Sequence, residues 1–151
     1  MYYWDTSAVG SFLFEEKESK AIREFNAAHK ALLGYSSFLT LLETESLFQR
    51  KRKEGFIRNV SDTDFLVLTG KFFSTLRTLH SNDVIAREAR RMIKDHGLRV
   101  ADGIQLATAL FLSYRAEKPS FQPQEIVFLS FDKKLSRAAM AEGFEVPLQS
   151  N

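Results

Sequence analysis

Residues 126–146 read IVFLSFDKKLSRAAMAEGFEV, and this stretch decides the fold class. Its first four residues, 126–129, form an apolar run that is typical of a buried strand. A helix is predicted over 133–142, and the following glycine is the residue type that most often ends one. A second short strand is predicted at 144–146. A strand, a helix and a strand in this order indicate a parallel sheet that is crossed by helices.

The same alternation of strands and helices extends through the rest of the chain. Further strands are predicted at 2–4, 31–35 and 76–80. Helices are predicted at 15–29, at 38–53, from a capping box at 61–64, from a cap at 81–82 to Gly97, and at 101–114. Pro119 and Pro123 bracket a predicted loop. We therefore expect one α/β domain over 1–151, with a mainly parallel sheet of about five short strands.

The composition excludes several classes of protein. The chain has 21 basic and 19 acidic residues, so its net charge of +2 leaves nucleic acid only a local patch to bind. It has no cysteine, which excludes a disulfide framework, a thiolate metal site and a cysteine nucleophile. The N-terminal residues lack the basic segment of a signal peptide. The longest uncharged run in a helical pattern, 103–114, has 12 residues, whereas a membrane span needs about 20. We expect a soluble, cytoplasmic protein with no membrane contact.

Acidic residues stand where a parallel fold forms its sites. Asp5 follows the first strand, Asp132 follows the strand that opens the quoted stretch, and Asp102 begins a helix that is apolar nearly all round. A fourth acid, Glu43 or Glu45, lies on the helix after the second strand. The carboxyl ends of parallel strands meet at one edge of the sheet, so these side chains are expected to converge there. Each aspartate alone also has an ordinary interpretation, as a turn residue, a helix cap or a partner of a helix dipole.

Four carboxylates in a small site raise one another's pKa and repel one another unless a cation lies among them. All-oxygen ligands of this kind suit a hard divalent cation, Mg²⁺ or Mn²⁺. Such a metal lowers the pKa of a bound water, orients a phosphate and neutralises charge on the leaving oxygen. The set of acids therefore indicates a site for a hard divalent cation.

Five segments resemble, in order along the chain, the motifs of PIN-domain nucleases. They are WDTS at 4–7, SFLTLLE at 37–43, LRVADGIQLATA at 98–109, LSFDKKL at 129–135 and GFEV at 143–146. The third, which resembles L-R-x-x-D-A-x-x-L-A-T-A, is the most specific, although Gly103 replaces the usual Ala. The segments cover essentially the whole chain. Its length and motif style are most similar to the VapC-like toxins of toxin–antitoxin pairs.

The resemblance implies a three-layer α/β/α fold and a Mg²⁺- or Mn²⁺-dependent endoribonuclease that cleaves single-stranded RNA, leaving a 5′-phosphate and a 3′-hydroxyl. It implies that four acids bind the metal and carry out the reaction: Asp5, Glu43, Asp102 and Asp132. It also selects Glu43 over Glu45, a choice that helical periodicity does not make. Thr6 and Ser130 are expected to orient the carboxylates by hydrogen bonds.

The RNA substrate also needs cations. Four basic residues flank the acidic motifs and are the candidates for phosphate contacts: Arg99, Lys133, Lys134 and Arg137. The basic run RKRK at 50–53 is interpreted instead as the solvated end of a helix, where the helix dipole favours cations.

As a toxin, the protein is expected to form a homodimer and to bind a small antitoxin protein. The phenylalanines of the first two long helices would supply the interface, or else all of them belong to the core: Phe12, Phe14, Phe25, Phe38 and Phe48. Two other functions stay open. One is an RNA-processing PIN nuclease with no toxin role. The other is an inert PIN-like module that binds proteins, which predicts that acids are missing, whereas all four are present.

Overall fold

The structure is a computed structural model, and it describes residues 1–29, 33–115 and 125–148. Within these ranges the chain forms four strands and seven helices. The strands are β1 (Tyr2–Trp4), β2 (Gly34–Ser37), β3 (Leu76–Leu79) and β4 (Val127–Leu129). The helices are α1 (Thr6–Leu13), α2 (Ser19–Ala28), α3 (Phe38–Lys53), α4 (Asp62–Phe73), α5 (Asp83–His96), α6 (Val100–Arg115) and α7 (Lys133–Ala141).

The four strands form one parallel sheet in the order β3-β2-β1-β4, which confirms the predicted fold class. β1 is one of the two interior strands, and its Tyr3 is paired with Tyr35 on one side and with Phe128 on the other. Because parallel strands end at the same edge of a sheet, the ends of β1, β2 and β4 lie together. Helices α1, α3 and α7 begin at this edge, each within a few residues of a strand end.

Helices cover both faces of the sheet. Successive side chains of a strand point to opposite faces, so β1 contributes to two separate cores. Tyr3 packs with buried residues of α5, α6 and α7. Tyr2 and Trp4 pack on the other face with buried residues of α1, α2 and α4. The result is the three-layer α/β/α arrangement that the sequence predicted.

Local sequence signals begin and end several helices as predicted. The side chain of Ser61 accepts a hydrogen bond from the backbone of Asp64, whose carboxylate bonds back to Ser61, so the predicted capping box opens α4. Asn82 caps α5 by accepting from the backbone of Val84 and Ile85. Gly97 ends α5 in the left-handed conformation, with φ of 63°. Helix α3 has the bounds that were predicted for it.

Three expectations about the elements need correction. No helix was predicted directly after β1, but α1 begins there, because Asp5 accepts from the backbone of Ser7 and acts as a helix cap rather than as a turn residue. The strand predicted at 31–35 is observed as Gly34–Ser37, and residues 31–32 lie outside the described part of the chain. The strand predicted at 144–146 is only a single bridge between Val127 and Glu145, so the sheet has four strands in the described ranges. The predicted loop at 119–123 also lies outside those ranges.

The phenylalanines proposed as an interface are mostly packed inside the protein. Phe14 and Phe48 are buried and stack with Phe65 in a third core that joins the end of α1 to α3 and α4. The rings of Phe48 and Phe65 are parallel, with centroids 3.9 Å apart. Phe12 and Phe25 pack partly buried against the core on the Trp4 face of the sheet. The structure therefore supports the core interpretation for these four residues, whereas Phe38, at the start of α3, is half-buried and stacks with His80. In the described ranges, no helix has the length and apolar character that a membrane crossing requires.

Candidate active site

One cavity of about 500 Å³ brings together the four acids predicted from the sequence. Asp5 enters it from the end of β1 and Asp132 from the end of β4. Glu43 enters from the second turn of α3, and Asp102 from the first turn of α6. The cavity therefore lies at the edge of the sheet where parallel strands end, which is where the topology predicted it.

Asp5 is the buried member of this set, with 4% of its surface exposed. Its Oδ2 accepts three hydrogen bonds, from the Ser7 backbone at 3.1 Å, the Ser7 hydroxyl at 2.7 Å and the Ser130 hydroxyl at 3.0 Å. The Ser7 hydroxyl oxygen accepts in turn from the backbone of Phe131 at 2.8 Å, which ties the end of β1 to the end of β4. These bonds hold the carboxylate in one orientation and leave Oδ1 for a ligand.

Burial raises the pKa of Asp5 to about 6, because the charged carboxylate loses its hydration inside the protein. The hydrogen bonds from Ser7 and Ser130 favour the charged form and limit this rise. The negative charge of Glu43 adds to the rise. Asp5 is thus held in place by hydroxyl groups but lacks a compensating cation among the described residues.

Glu43, rather than Glu45, faces the cavity. Glu43 is half-buried and accepts hydrogen bonds from the hydroxyl of Thr6 and from the side-chain amide of Gln105, the latter at 2.9 Å. Glu45 is exposed and accepts from Gln49 at 2.8 Å on the surface of α3. Thr6 therefore orients a carboxylate, but it is that of Glu43, whereas Ser130 orients Asp5.

Gln105 connects the site to the core, and the sequence interpretation missed it. Its side chain is 1% exposed. Besides Glu43, its amide nitrogen contacts Thr40 at 2.9 Å and Thr6 at 3.1 Å, and its oxygen accepts from the Tyr3 hydroxyl at 2.7 Å. The sequence did contain a signal for its place near the site: Gln105 is a polar residue in an apolar helix, three residues after Asp102 and therefore on the same face of α6.

Asp102 and Asp132 lie nearer to solvent. Burial raises the pKa of Asp102, and the charges of Asp132 and Glu43 raise it further. The backbone N–H and the positive charge of Arg99 act in the opposite direction. Asp132 is exposed and caps α7, since its Oδ1 accepts from the backbone of Leu135 at 2.7 Å. The three aspartates thus occupy the N-terminal ends of three helices that meet at the cavity.

The cations selected from the sequence do not line the cavity. The four candidates are exposed residues near the acidic motifs, and none of them is part of the cavity wall: Arg99, Lys133, Lys134 and Arg137. Lys134 donates to the backbone carbonyl of Gly97. The wall contains Arg50 instead, from the basic run that was interpreted as a solvated helix end. The signal that was available is helical spacing, because Arg50 lies seven residues after Glu43, on the same face of α3.

The carboxylates fit a hydrated hard cation better than a closed protein cage. Among the residues that the structure describes, no three histidine, aspartate or glutamate side chains form a group that could hold one ion. Mg²⁺ commonly keeps several waters and uses only one or two carboxylates directly, so such a group is not required. The all-oxygen donor set and the available Oδ1 of Asp5 both match this mode of binding.

A parallel α/β sheet with carboxylates gathered beyond its strand ends defines a class of domain that is suited to binding a hard cation and a phosphate. Comparison of the sequence with models of protein families identifies the family within this class. The family model of the PIN domain matches residues 2–140, and the chain belongs to the PIN domain family. PIN domains are generally nucleases and generally use divalent metals. A comparison with curated proteins found no match.

Proposed function

We propose that this protein is a Mg²⁺- or Mn²⁺-dependent endoribonuclease that hydrolyses single-stranded RNA. The observation that carries the proposal is the convergence of Asp5, Glu43, Asp102 and Asp132 on one cavity at the carboxyl edge of the sheet. Membership in a family of nucleases supports the same activity. The raised pKa values of Asp5 and Asp102 add to the argument, because such a set of acids is costly unless a cation compensates it.

The resemblance to PIN nucleases supplies a role for each acid. Asp5 and Asp102 would hold the metal, and Glu43 and Asp132 would hold it directly or through water. When bound, the metal lowers the pKa of a water ligand and neutralises charge on the leaving oxygen. Ser7 and Ser130 keep Asp5 oriented, as Thr6 and Gln105 do for Glu43. We assign Asp132 as the general base: its Oδ2, which takes no part in capping α7, would accept the proton of the attacking water.

Cleavage of a labelled single-stranded RNA tests the proposal. The Asp102→Asn variant should lose activity and be at least as stable as the original protein. The control Asp95→Asn, at an exposed position on α5, should cleave like the original protein. Excess EDTA should stop cleavage, and Mg²⁺ or Mn²⁺ should restore it. Full activity of Asp102→Asn, or full activity in EDTA, contradicts the metal mechanism. A parallel assay with single-stranded DNA of the same sequence tests the preference for RNA.

We further propose that the nuclease is the toxin of a type II toxin–antitoxin pair, acting in the cytoplasm as a homodimer that a small antitoxin inhibits. The resemblance to VapC-like toxins motivates this role. Exposed apolar side chains on α3 and α4 are surfaces on which partners could pack: Leu41, Leu42, Leu66 and Val67. A basic antitoxin side chain that enters the cavity would satisfy the carboxylates in place of metal, which gives inhibition an electrostatic cause.

The toxin role has its own test. Light scattering at micromolar concentration should give the mass of a dimer, and a species of 17.3 kDa refutes it. Co-expression with the neighbouring open reading frame should give a complex without ribonuclease activity. If the two proteins purify apart, the toxin role fails and the nuclease proposal stands as an RNA-processing enzyme.

A further inference from the structure

The acidic cavity has a cation on its wall that no role described so far explains. Within the described residues, six carboxylates line the cavity and Arg50 is the only basic side chain among the lining residues. Glu43, Ser46, Leu47 and Arg50 all contribute to this wall. Their spacing of three, four and seven residues places them on a single face of α3. The same helix face therefore carries a proposed metal-binding acid at one end and a guanidinium at the other.

The neighbours of Arg50 in the basic run are paired elsewhere. Lys51 contacts Glu16 at 2.6 Å, and Arg52 pairs with Asp62. In the part of the chain that the structure describes, the Arg50 guanidinium makes no ion pair or side-chain hydrogen bond, although carboxylates line the same cavity. Lys51 and Arg52 thus connect α3 to other parts of the chain, whereas Arg50 is available to bind a negatively charged ligand.

We propose that Arg50 binds a phosphate of the RNA next to the one that is cleaved; this inference rests on the proposed ribonuclease activity. Arg50 lies seven residues after Glu43, which corresponds to a rise of about 10 Å along α3. This spacing places the backbone of Arg50 farther along the cavity wall than that of Glu43, so we assign its guanidinium to a neighbouring phosphate rather than to the group held at the carboxylates. Its planar fork donates two parallel hydrogen bonds to phosphate oxygens. It also offsets the repulsion between an acidic cavity and a polyanion.

Steady-state cleavage of a fluorogenic single-stranded RNA in Mg²⁺, at several salt concentrations, tests this contact. Arg50→Ala should raise KM about tenfold, with kcat within about twofold of the original. The plot of log(kcat/KM) against log of the salt concentration should become shallower by about 0.7, the change expected for one lost contact with a single strand. Arg50→Lys should recover part of the loss in KM. The matched control Lys53→Ala removes an equal charge from the same run at a position outside the cavity wall and should leave KM within about twofold.

The possible outcomes separate this inference from the activity on which it rests. If the original protein cleaves RNA and Arg50→Ala behaves like Lys53→Ala, the contact is refuted and the nuclease stands. If Arg50 only neutralises the carboxylates, Arg50→Ala should bind Mg²⁺ more tightly in a calorimetric titration with KM unchanged, and that result also overturns the contact. A loss of kcat with KM unchanged overturns it as well. If the original protein cleaves no RNA, the proposed function and this inference fall together.

Discussion

Replacement of Asp5 by asparagine should make the metal-free protein more stable at neutral pH. Burial raises the pKa of Asp5 from 3.8 to about 6, so the folded protein holds this proton more tightly than the unfolded chain does. Ionisation of Asp5 therefore opposes folding. The favourable contribution of the protonated Asp5 to folding is complete below about pH 4 and is lost as the pH rises through about 6. Two pKa units correspond to about 3 kcal/mol.

Asparagine keeps the geometry and removes the charge. Its side-chain oxygen can accept the hydrogen bonds from Ser7 and Ser130 that Oδ2 accepts now, and its amide group then faces the cavity. At pH 7.5 in EDTA, Asp5→Asn should thus be more stable than the original by up to about 3 kcal/mol. For a domain of this size that corresponds to roughly 6 to 12 °C in melting temperature. At pH 4 the two proteins should be equally stable.

Urea unfolding at pH 4, 5, 6, 7 and 8 in EDTA measures the difference. The control Glu45→Gln makes the same change of acid to amide at an exposed position and should differ from the original by less than about 0.5 kcal/mol at each pH. Addition of Mg²⁺ at pH 7.5 should stabilise the original and have little effect on Asp5→Asn, because ligand binding to the folded state adds to stability. The reasoning is refuted if Asp5→Asn is the less stable protein at pH 7.5, or if the difference does not change with pH.

Three further predictions test the surroundings of the site. Glu43→Gln should lower RNA cleavage by a factor of about 100 or more, whereas Glu45→Gln should cleave normally; equal activities would remove Glu43 from the site. Gln105→Leu should lower the free energy of unfolding by about 2 kcal/mol in urea titrations, because the buried hydroxyl groups of Tyr3 and Thr40 lose their partner. It should also weaken cleavage, and an unchanged stability would contradict the proposed role of these hydrogen bonds. Gly103→Ala should lower the free energy of unfolding by about 1 kcal/mol or more, because the added Cβ would lie 2.7 Å from the side chain of Ile93 on α5. Gly70→Ala, where the added Cβ meets open space, should raise it by about 1 kcal/mol in the same urea titrations.

The sequence predicted most of the fold because the signals for it are local. The helix at 38–53, the capping box at Ser61 and the glycine end of α5 depend on residues a few positions apart. Helix α1 was missed for the same reason, since Asp, Thr and Ser in succession begin turns and helices alike. A strand was predicted at 144–146, where the structure has only a single bridge, because the β propensity of a segment does not depend on whether a partner strand lies beside it.

The acids of the site could be predicted, but their connections could not. Asp5 and Asp132 follow strands, and parallel topology alone brings strand ends together. The role of Gln105 depends on Tyr3, which lies 102 residues away, and no pattern within α6 specifies that contact. The four cations selected from the sequence flank the acidic motifs, but none of them lines the cavity, so their contact with a phosphate stays a prediction. Lys134 follows Asp132 by two residues, yet it donates to the carbonyl of Gly97 instead of lining the cavity.

The two interpretations of the aspartates, as helix caps and as site residues, turn out to be compatible. Asp5 caps α1 and Asp132 caps α7, and in each case a single oxygen makes the cap, Oδ2 in Asp5 and Oδ1 in Asp132. Asp102 stands in the first turn of α6 and bonds to the backbone of Arg99. The positive ends of three helices thus meet at the cavity, and each favours a nearby negative charge by about 0.3–1 kcal/mol. That contribution offsets part of the repulsion among the carboxylates, so the fold can hold them together before any cation binds. Helix capping therefore supports the proposed site, because the residues that begin the helices are the ones that would bind the metal.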